Sequence, residues 1–239
     1  MRWKKLFQIT KPGKENTEDV TKFSSISLIN KCGKVLEKLL INRFNHHIFS
    51  HNYMNNNQYG FAPQKSTIDA AMAVKNVVSD GLTAGDVIVL VSLDVKGAFD
   101  ATWWPAISNG LRAYECPNSL FNLARSYFTQ RSVYLTTNNY RIQTEVCKGC
   151  PQASCCGSGL WNIKYNTILN LNITKHTTAI VFADDLLLIT RRESAREAEN
   201  FANIEMSKIN ALSKRKKVGL NEAISKTMLI SRRKRKEAK

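Results

Sequence analysis

The sequence predicts an α+β fold, on three observations. Two short apolar, β-branched runs end in carboxylates: Val91-Ser92-Leu93-Asp94 and Ile180-Val181-Phe182-Ala183-Asp184-Asp185. In the second, apolar character resumes at once as Leu186-Leu187-Leu188-Ile189, the pattern of strand, tight turn, strand. Another pair of alternating runs, 132–137 and 140–146, flanks Asn138-Asn139, a hairpin signal. Amphipathic stretches at helical spacing separate these runs, so antiparallel hairpins supply the centre and helices are expected on one face.

From the N-terminus, Lys11-Pro12-Gly13-Lys14-Glu15-Asn16 reads as a polar turn before Phe23-Ser24-Ser25-Ile26-Ser27-Leu28-Ile29. A helix is expected over about 31–49, with Val35, Leu36, Leu39, Leu40, Phe44 and Ile48 on its apolar face. Ser66 and Asp69 fit a capping box opening a helix to about 79, with 81–85 breaking it before a buried strand, 87–93, that delivers Asp94. Pro105 and Pro117 each suit the start of a helix, the second burying Leu120, Leu123, Ala124 and Phe128. After the Asn-Asn hairpin, Pro151 is expected at the first position of a helix running to about 171. The acidic hairpin spans about 177–190. Ser194 and Glu197 then head a helix with Ala198, Phe201, Ile204, Ile209 and Leu212 inside, and a short strand near 228–230 precedes a basic tail.

Charge narrows the partners. The 239 residues carry 35 Lys and Arg against 19 Asp and Glu, a formal +16. Residues 214–239 hold 11 of the cations and 2 of the acids, so the remainder is still basic by 7. Such an excess favours a polyanion, since Lys and Arg release counterions from nucleic acid phosphates. No apolar run approaches the ~18–20 residues of a membrane-spanning helix, and the start Met1-Arg2-Trp3-Lys4-Lys5 leads into no signal-peptide core. The expectation is an intracellular chain, in nucleus or cytoplasm, with no membrane partner and an oligomeric state left open. Cys147, Cys150, Cys155 and Cys156 compose a zinc reading, but they sit too close together for a finger and no His lies nearby. Reduced structural thiols are the competing reading.

Buried strands rarely carry carboxylates without compensation, because an unpaired ionised Asp in an apolar site is very costly. A divalent cation is the usual compensation, and Mg²⁺ takes one or two protein carboxylates plus substrate phosphates. Asp94, Asp184 and Asp185 on two strands therefore form a candidate two-metal phosphoryl-transfer site. The plainer alternative is an exposed turn.

A third segment, Lys148-Gly149-Cys150-Pro151-Gln152-Ala153-Ser154, lies between the two. With these three segments in this order, the chain resembles the reverse transcriptases of non-LTR (LINE-type) retrotransposons. Their palm has an Asp-bearing strand followed by a small residue and an aromatic, then a Gly-x-Pro-Gln-Gly loop, then a Phe/Tyr-Ala-Asp-Asp hairpin. The resemblance runs from about residue 11 to 236. It implies a right-hand polymerase fold, with fingers over roughly 1–85, a palm with interleaved finger segments over 86–231, and a tail over 232–239. The helical thumb that follows such a palm is not expected within this chain.

The resemblance also implies an RNA template with a DNA primer, deoxynucleoside triphosphates, and two Mg²⁺ ions with Mn²⁺ as an alternative. Asp94 and Asp184 would be the principal metal ligands, Asp185 the third carboxylate, and the Val95 carbonyl an additional ligand. Phe99 would lie under the sugar and exclude a 2′-hydroxyl, or else serve as a core residue. Gln152 would touch the incoming nucleotide or template. Lys226 would act as a general acid near the pyrophosphate, or else be one more exposed lysine.

Departures from the family pattern matter. Arg-Pro-Ile-Ser is replaced by Ser24-Ser25-Ile26-Ser27, and Gly-Phe-Arg by Gly60-Phe61-Ala62. Both missing arginines are triphosphate-side cations; the nearby Lys65 is the substrate-binding candidate left there, although its ammonium does not reproduce their planar fork. Ala153 and Ser158 replace a Gly and a Pro. Two readings stand: a polymerase domain, truncated and partly degenerate, or a basic nucleic-acid-binding remnant without catalysis.

Overall fold

A computed structural model describes residues 3–10, 23–136, 140–150 and 154–232, with side chains described from Leu28 onward. Pro151, Gln152, Ala153, the Asn138-Asn139 turn, the 11–16 turn and the tail beyond Arg232 lie outside the described residues. The chain divides into two discontinuous units, Met1–Tyr53 with Phe99–Lys164 and Met54–Ala98 with Tyr165–Lys239.

The first unit holds strands β1 (Trp3–Thr10) and β2 (Phe23–Leu28) and helix α1 (Lys31–Ser50). It also holds α3 (Trp104–Ala113), α4 (Asn118–Phe128), β4 (Arg131–Thr136), β5 (Arg141–Val146) and the first part of α5 (Gly157–Leu169). The second unit contributes α2 (Thr67–Thr83), β3 (Val87–Leu93), β6 (Thr177–Phe182), β7 (Asp185–Arg192), α6 (Ala195–Lys216) and β8 (Lys226–Ile230).

In the first unit the strand order is β2-β1-β4-β5. β4 and β5 form the expected hairpin, and β1 runs parallel to β4. Asn30 caps α1 by accepting from the Gly33 amide. The face that α1 buries differs from the expected stripe. Gly33, Glu37, Leu40, Ile41, Phe44 and Ile48 point inward, whereas Val35, Leu36 and Leu39 are 60%, 41% and 57% exposed. Glu37 displaces the apolar stripe because its carboxylate satisfies distant donors: Tyr127 Oη at 2.5 Å, Ser154 Oγ at 2.6 Å and the Cys155 amide at 3.1 Å. On α4, Leu120, Ala124 and Phe128 are buried, but Leu123 turns outward. α5 begins at Gly157, later than expected, with a bend at residues 155–156 before it; the expected start at Pro151 lies outside the described residues.

The second unit is built on an antiparallel sheet of order β6-β7-β3-β8. Strand alternation gives it two faces. Ile88, Ile180 and Ile189 share one, packed by Ala73, Val74, Val77, Val78 and Leu82 of α2. On the other, Leu93 lines a cavity with Asn203, Met206, Ser207 and Asn210 of α6. Helices therefore cover both faces rather than one; the sheet's residues are apolar on each, so each needs a cover.

Helix α2 opens on a complete capping box, Ser66 and Asp69 each bonding the other's amide. It runs through Gly81 to Thr83 instead of breaking at 81, and the chain turns at Gly85, φ +80°. Gly81 belongs inside the helix for reasons of space: a β-carbon there would lie 2.8 Å from Arg191 Nε and 3.0 Å from Ile88 Cδ1. In α6, Ser194 accepts from the Glu197 amide at 3.3 Å. Ala198, Ala202, Glu205, Ile209, Leu212 and Ser213 are buried, Phe201 is half-buried, and Ile204 is 48% exposed. Glu205 takes the inward position because it binds the Thr174 amide and Lys208 Nζ, both at 3.1 Å.

Candidate active site

The acidic hairpin forms as the sequence implies. β6 and β7 pair with Phe182 opposite Asp185, leaving Ala183-Asp184 as a two-residue turn. Ala183 sits at φ +58°, a region in which a β-carbon is disfavoured by roughly 1–2 kcal/mol. The turn is held from two sides. Tyr165, fully buried, donates its hydroxyl to the Asp184 carbonyl at 3.2 Å. On the outer edge of β6, Val181 donates to Asn57 O at 2.9 Å and accepts from the Tyr59 amide at 2.8 Å. Gly60 then passes so close that a β-carbon on it would lie 1.9 Å from Ala183 N.

β3 lies beside β7 in antiparallel register, Leu93 opposite Leu186 and Ser92 opposite Leu187. One step further along that register sets Asp94 beside Asp185, and alternation places Asp94, Asp185 and Ser92 on one face. Lys226 pairs with Ser92 across the β3–β8 ladder, on the same face, and is exposed. Asp94 is fixed by Asn221, whose amide donates to the Asp94 carbonyl at 2.9 Å and whose Nδ2 donates to Oδ2 at 3.2 Å. Val95, 4% exposed, forms a bridge with Leu220.

The three carboxylates share one field. Partial burial, then Asp184 and Asp94, raises the pKa of Asp185 above its ordinary value. The Tyr165 phenol is pushed up by burial, then by Asp184, Asp185 and Asp94. A local excess of negative charge of this kind favours a cation. Among the described residues, no group of three or more His, Cys, Asp or Glu side chains is gathered so as to hold a metal ion by itself.

The other candidates fall as follows. Lys65 Nζ donates back to the carbonyls of Asn56 and, at 3.2 Å, Gln58, and lies 4.8 Å above the Tyr59 ring. Burial lowers its pKa, with Asp69 opposing. Ala62 is only 8% exposed. In the first unit, Phe99 is half-buried, its ring 6.2 Å from that of Trp161. Its carbonyl accepts from the Cys150 amide at 2.7 Å, and Gly149 donates to Thr102 O at 2.7 Å, so the Gly-Cys loop is stitched to the segment after Phe99. Gly149 has φ +94° and approaches the Asp100 backbone so closely that a β-carbon would be 3.2 Å from the Asp100 carbonyl oxygen. The thiol of Cys156 contacts the Glu37 carbonyl at 3.0 Å. Sequence reasoning missed Tyr165 and Gly60 as supports of the acidic turn, and Asn221 as the support of Asp94. Tyr165, one helical turn beyond Trp161, was visible as an apolar helix position, but nothing near it in the chain announces its partner.

Solved structures match the fold over most of the chain. Telomerase from Candida albicans in complex with a fragment of telomeric RNA gives a TM-score of 0.67 at 11% identity, over 97% of this chain and 43% of that one. Apo telomerase from Candida tropicalis, truncated from its C-terminal domain, gives 0.64 at 14% identity, over 95% and 50%. The fold is thus that of the fingers and palm of a right-hand polymerase. The family model for reverse transcriptase (RNA-dependent DNA polymerase) matches residues 9–237, and the chain belongs to that family.

Its relatives are retrotransposon polymerases. The Pol polyprotein of the type-1 retrotransposable element R1 from Bradysia coprophila is 28% identical over 76% of this chain and 18% of its own length. The RNA-directed DNA polymerase of the mobile element jockey from Drosophila funebris is 27% identical over 81% and 22%. The chain is a reverse transcriptase domain similar to those of non-LTR retrotransposons, and it spans about a fifth of the length of the relatives it matches. Among the described residues, no helix is long and apolar enough to cross a membrane.

Proposed function

We propose that this chain carries out template-directed nucleotidyl transfer on an RNA template with a DNA primer and deoxynucleoside triphosphates. The observation that carries the reading is the β3–β7 register, which continues to bring Asp94 alongside the Asp184-Asp185 turn. Reverse transcriptases work with divalent metal ions, and the residues here fit one. Partial burial, and after it the charges of Asp184 and Asp94, hold Asp185 in protonation-favouring surroundings, and Mg²⁺ needs only one or two protein carboxylates beside substrate phosphates. Asp94 and Asp184 would be the principal ligands, with Asp185 and the Val95 carbonyl completing the set. Two Mg²⁺ ions, or Mn²⁺, would there lower the pKa of the primer 3′-hydroxyl and stabilise the leaving pyrophosphate.

The chain's own residues orient and shield. Asn221 holds Asp94, and Tyr165 holds the acidic turn. Lys226, on the same sheet face, is assigned proton donation to the pyrophosphate. Phe99 and Gln152 keep the roles given by the resemblance, contact with the sugar and with the nucleotide or template. Residues 1–85 remain approximately the fingers, and 86–231 the palm with interleaved finger segments.

A binding-only remnant is favoured by one observation. The position where the family carries its second phosphate-binding arginine is the buried Ala62, and Lys65 is engaged with backbone carbonyls. Charge-assisted contacts contribute roughly 1.5–3 kcal/mol each, so extension by the chain as given is expected to be very weak. Primer extension on an RNA template, beside Asp184→Asn, decides. Extension abolished by the substitution supports catalysis. Duplex binding that falls steeply with salt, without extension, leaves the remnant.

A further inference from the structure

The second unit has a cavity of about 330 Å³ lined by Asp86, Lys175, His176, Thr178, Arg191, Arg192 and Glu193. It lies at the opposite end of the sheet from the acidic turn. Val87 pairs with Arg192 where β3 begins and β7 ends, and seven steps of about 3.3 Å along β7 put it roughly 23 Å from Asp185. Three permanent cations face two carboxylates, and Asp86 is already engaged by Arg191 Nε and Nη2, both at 3.2 Å.

Arg192 is the unexplained member. Its guanidinium lies 3.7 Å above the Phe201 ring, a stacking that fixes the plane while using none of the in-plane N–H donors. Its Nε is buried and has no hydrogen-bond partner. A buried guanidinium donor without an acceptor is costly, and such groups point to a missing ligand, water or ion. His176 is held at the rim by the Arg191 amide, which donates to its carbonyl at 2.9 Å. Desolvation, and after it the charges of Arg192 and Lys175, lower the His176 pKa against the opposing Asp86.

We propose that this cavity binds a phosphate group, carried by a nucleic acid strand or by a small phosphorylated molecule, at a site separate from the acidic turn. Arg192 supplies the in-plane fork, Lys175 a mobile charge and Thr178 a neutral donor, while Arg191 is held by Asp86 as the wall. The site does not depend on whether the chain catalyses extension.

The test uses the full chain and the variants Arg192→Gln, Lys175→Gln and, as a control of equal charge, Lys75→Gln on the exposed side of α2. Binding of a short labelled single-stranded RNA is measured by anisotropy across a salt series. Thermal shift is measured with inorganic pyrophosphate. Each cavity variant should lose about three- to tenfold in RNA affinity at low salt and lower the salt slope by roughly one, and Lys75→Gln should lose less than about twofold. With Mg²⁺ withheld, so that the acidic turn takes up no pyrophosphate, the compound should raise the melting temperature of the parent but not of Arg192→Gln. A response in the RNA arm assigns the site to a strand, and a response in pyrophosphate alone assigns it to small phosphates. If both cavity variants behave like Lys75→Gln in both arms, the proposal is overturned. Should Arg192→Gln fail to fold, the exposed Lys175→Gln decides alone.

Discussion

The hydroxyl of Tyr165 donates to the backbone carbonyl of Asp184 across 3.2 Å. A buried phenol on α5 thus holds the turn that carries two carboxylates, and it does so through the backbone, leaving the side-chain oxygens of Asp184 out of that bond. Tyr165→Phe removes one buried hydroxyl, leaving the Asp184 carbonyl without that donor. The expected cost is about 1–3 kcal/mol, read from urea denaturation. An unchanged midpoint would show that the carbonyl finds another donor.

The charge crowding at the acidic turn should appear as a pH dependence. Asp185 has its pKa raised above its ordinary 3.8 by partial burial, Asp184 and Asp94. A raised carboxyl pKa means the folded state binds the proton more tightly than the unfolded chain. Its contribution is therefore full at low pH and is lost as pH rises from the ordinary value through the raised one. Asp185→Asn should accordingly stabilise the metal-free protein at neutral pH, with the advantage shrinking in acid. Mg²⁺ should shrink it too. Melting temperatures across pH, with and without Mg²⁺, check this, and a neutral-pH destabilisation would contradict it.

Gly60 and Gly85 differ in what a methyl group would meet. At Gly60 it would strike the backbone of Ala183 at 1.9 Å, whereas at Gly85 nothing lies within 4 Å and only the positive φ resists. Gly60→Ala should cost about 3 kcal/mol or more and disturb the acidic turn. Gly85→Ala should cost about 1 kcal/mol through strain alone. Equal costs in chemical denaturation would mean that the Gly60 loop does not press on the turn.

In the first unit, Glu37 accepts from Tyr127, Ser154 and the Cys155 amide while 1% exposed. Glu37→Ala strands those donors and should destabilise by on the order of 3 kcal/mol. Tyr127→Phe, which removes only one of them, should cost about 1 kcal/mol. If the two variants unfold at the same denaturant concentration, the network is not shared in this way.

The sequence by itself determined the carboxylate-bearing strands, the acidic hairpin and the capped starts of α2 and α6, because each is written in neighbours a few residues apart. The β-branched runs at 87–93 and 177–182 became β3 and β6, and Ser66 capped its helix through Asp69, three residues on. The two carboxylate clusters were legible for the same reason, as local breaks in apolar runs. Only the tertiary structure decided which strand lies beside which, and so that Asp94 continues into register with Asp185. It also decided which polar groups go inside. Glu37 replaced Val35, Leu36 and Leu39 on the buried face of α1 because Tyr127 and Ser154 arrive from 90 and 117 residues away. Gly60 and Tyr165 touch the acidic turn from separate segments. Local propensity acts through neighbours in the chain, whereas hydrogen-bond satisfaction and close packing act through neighbours in space, and those exist only once the long loops have closed.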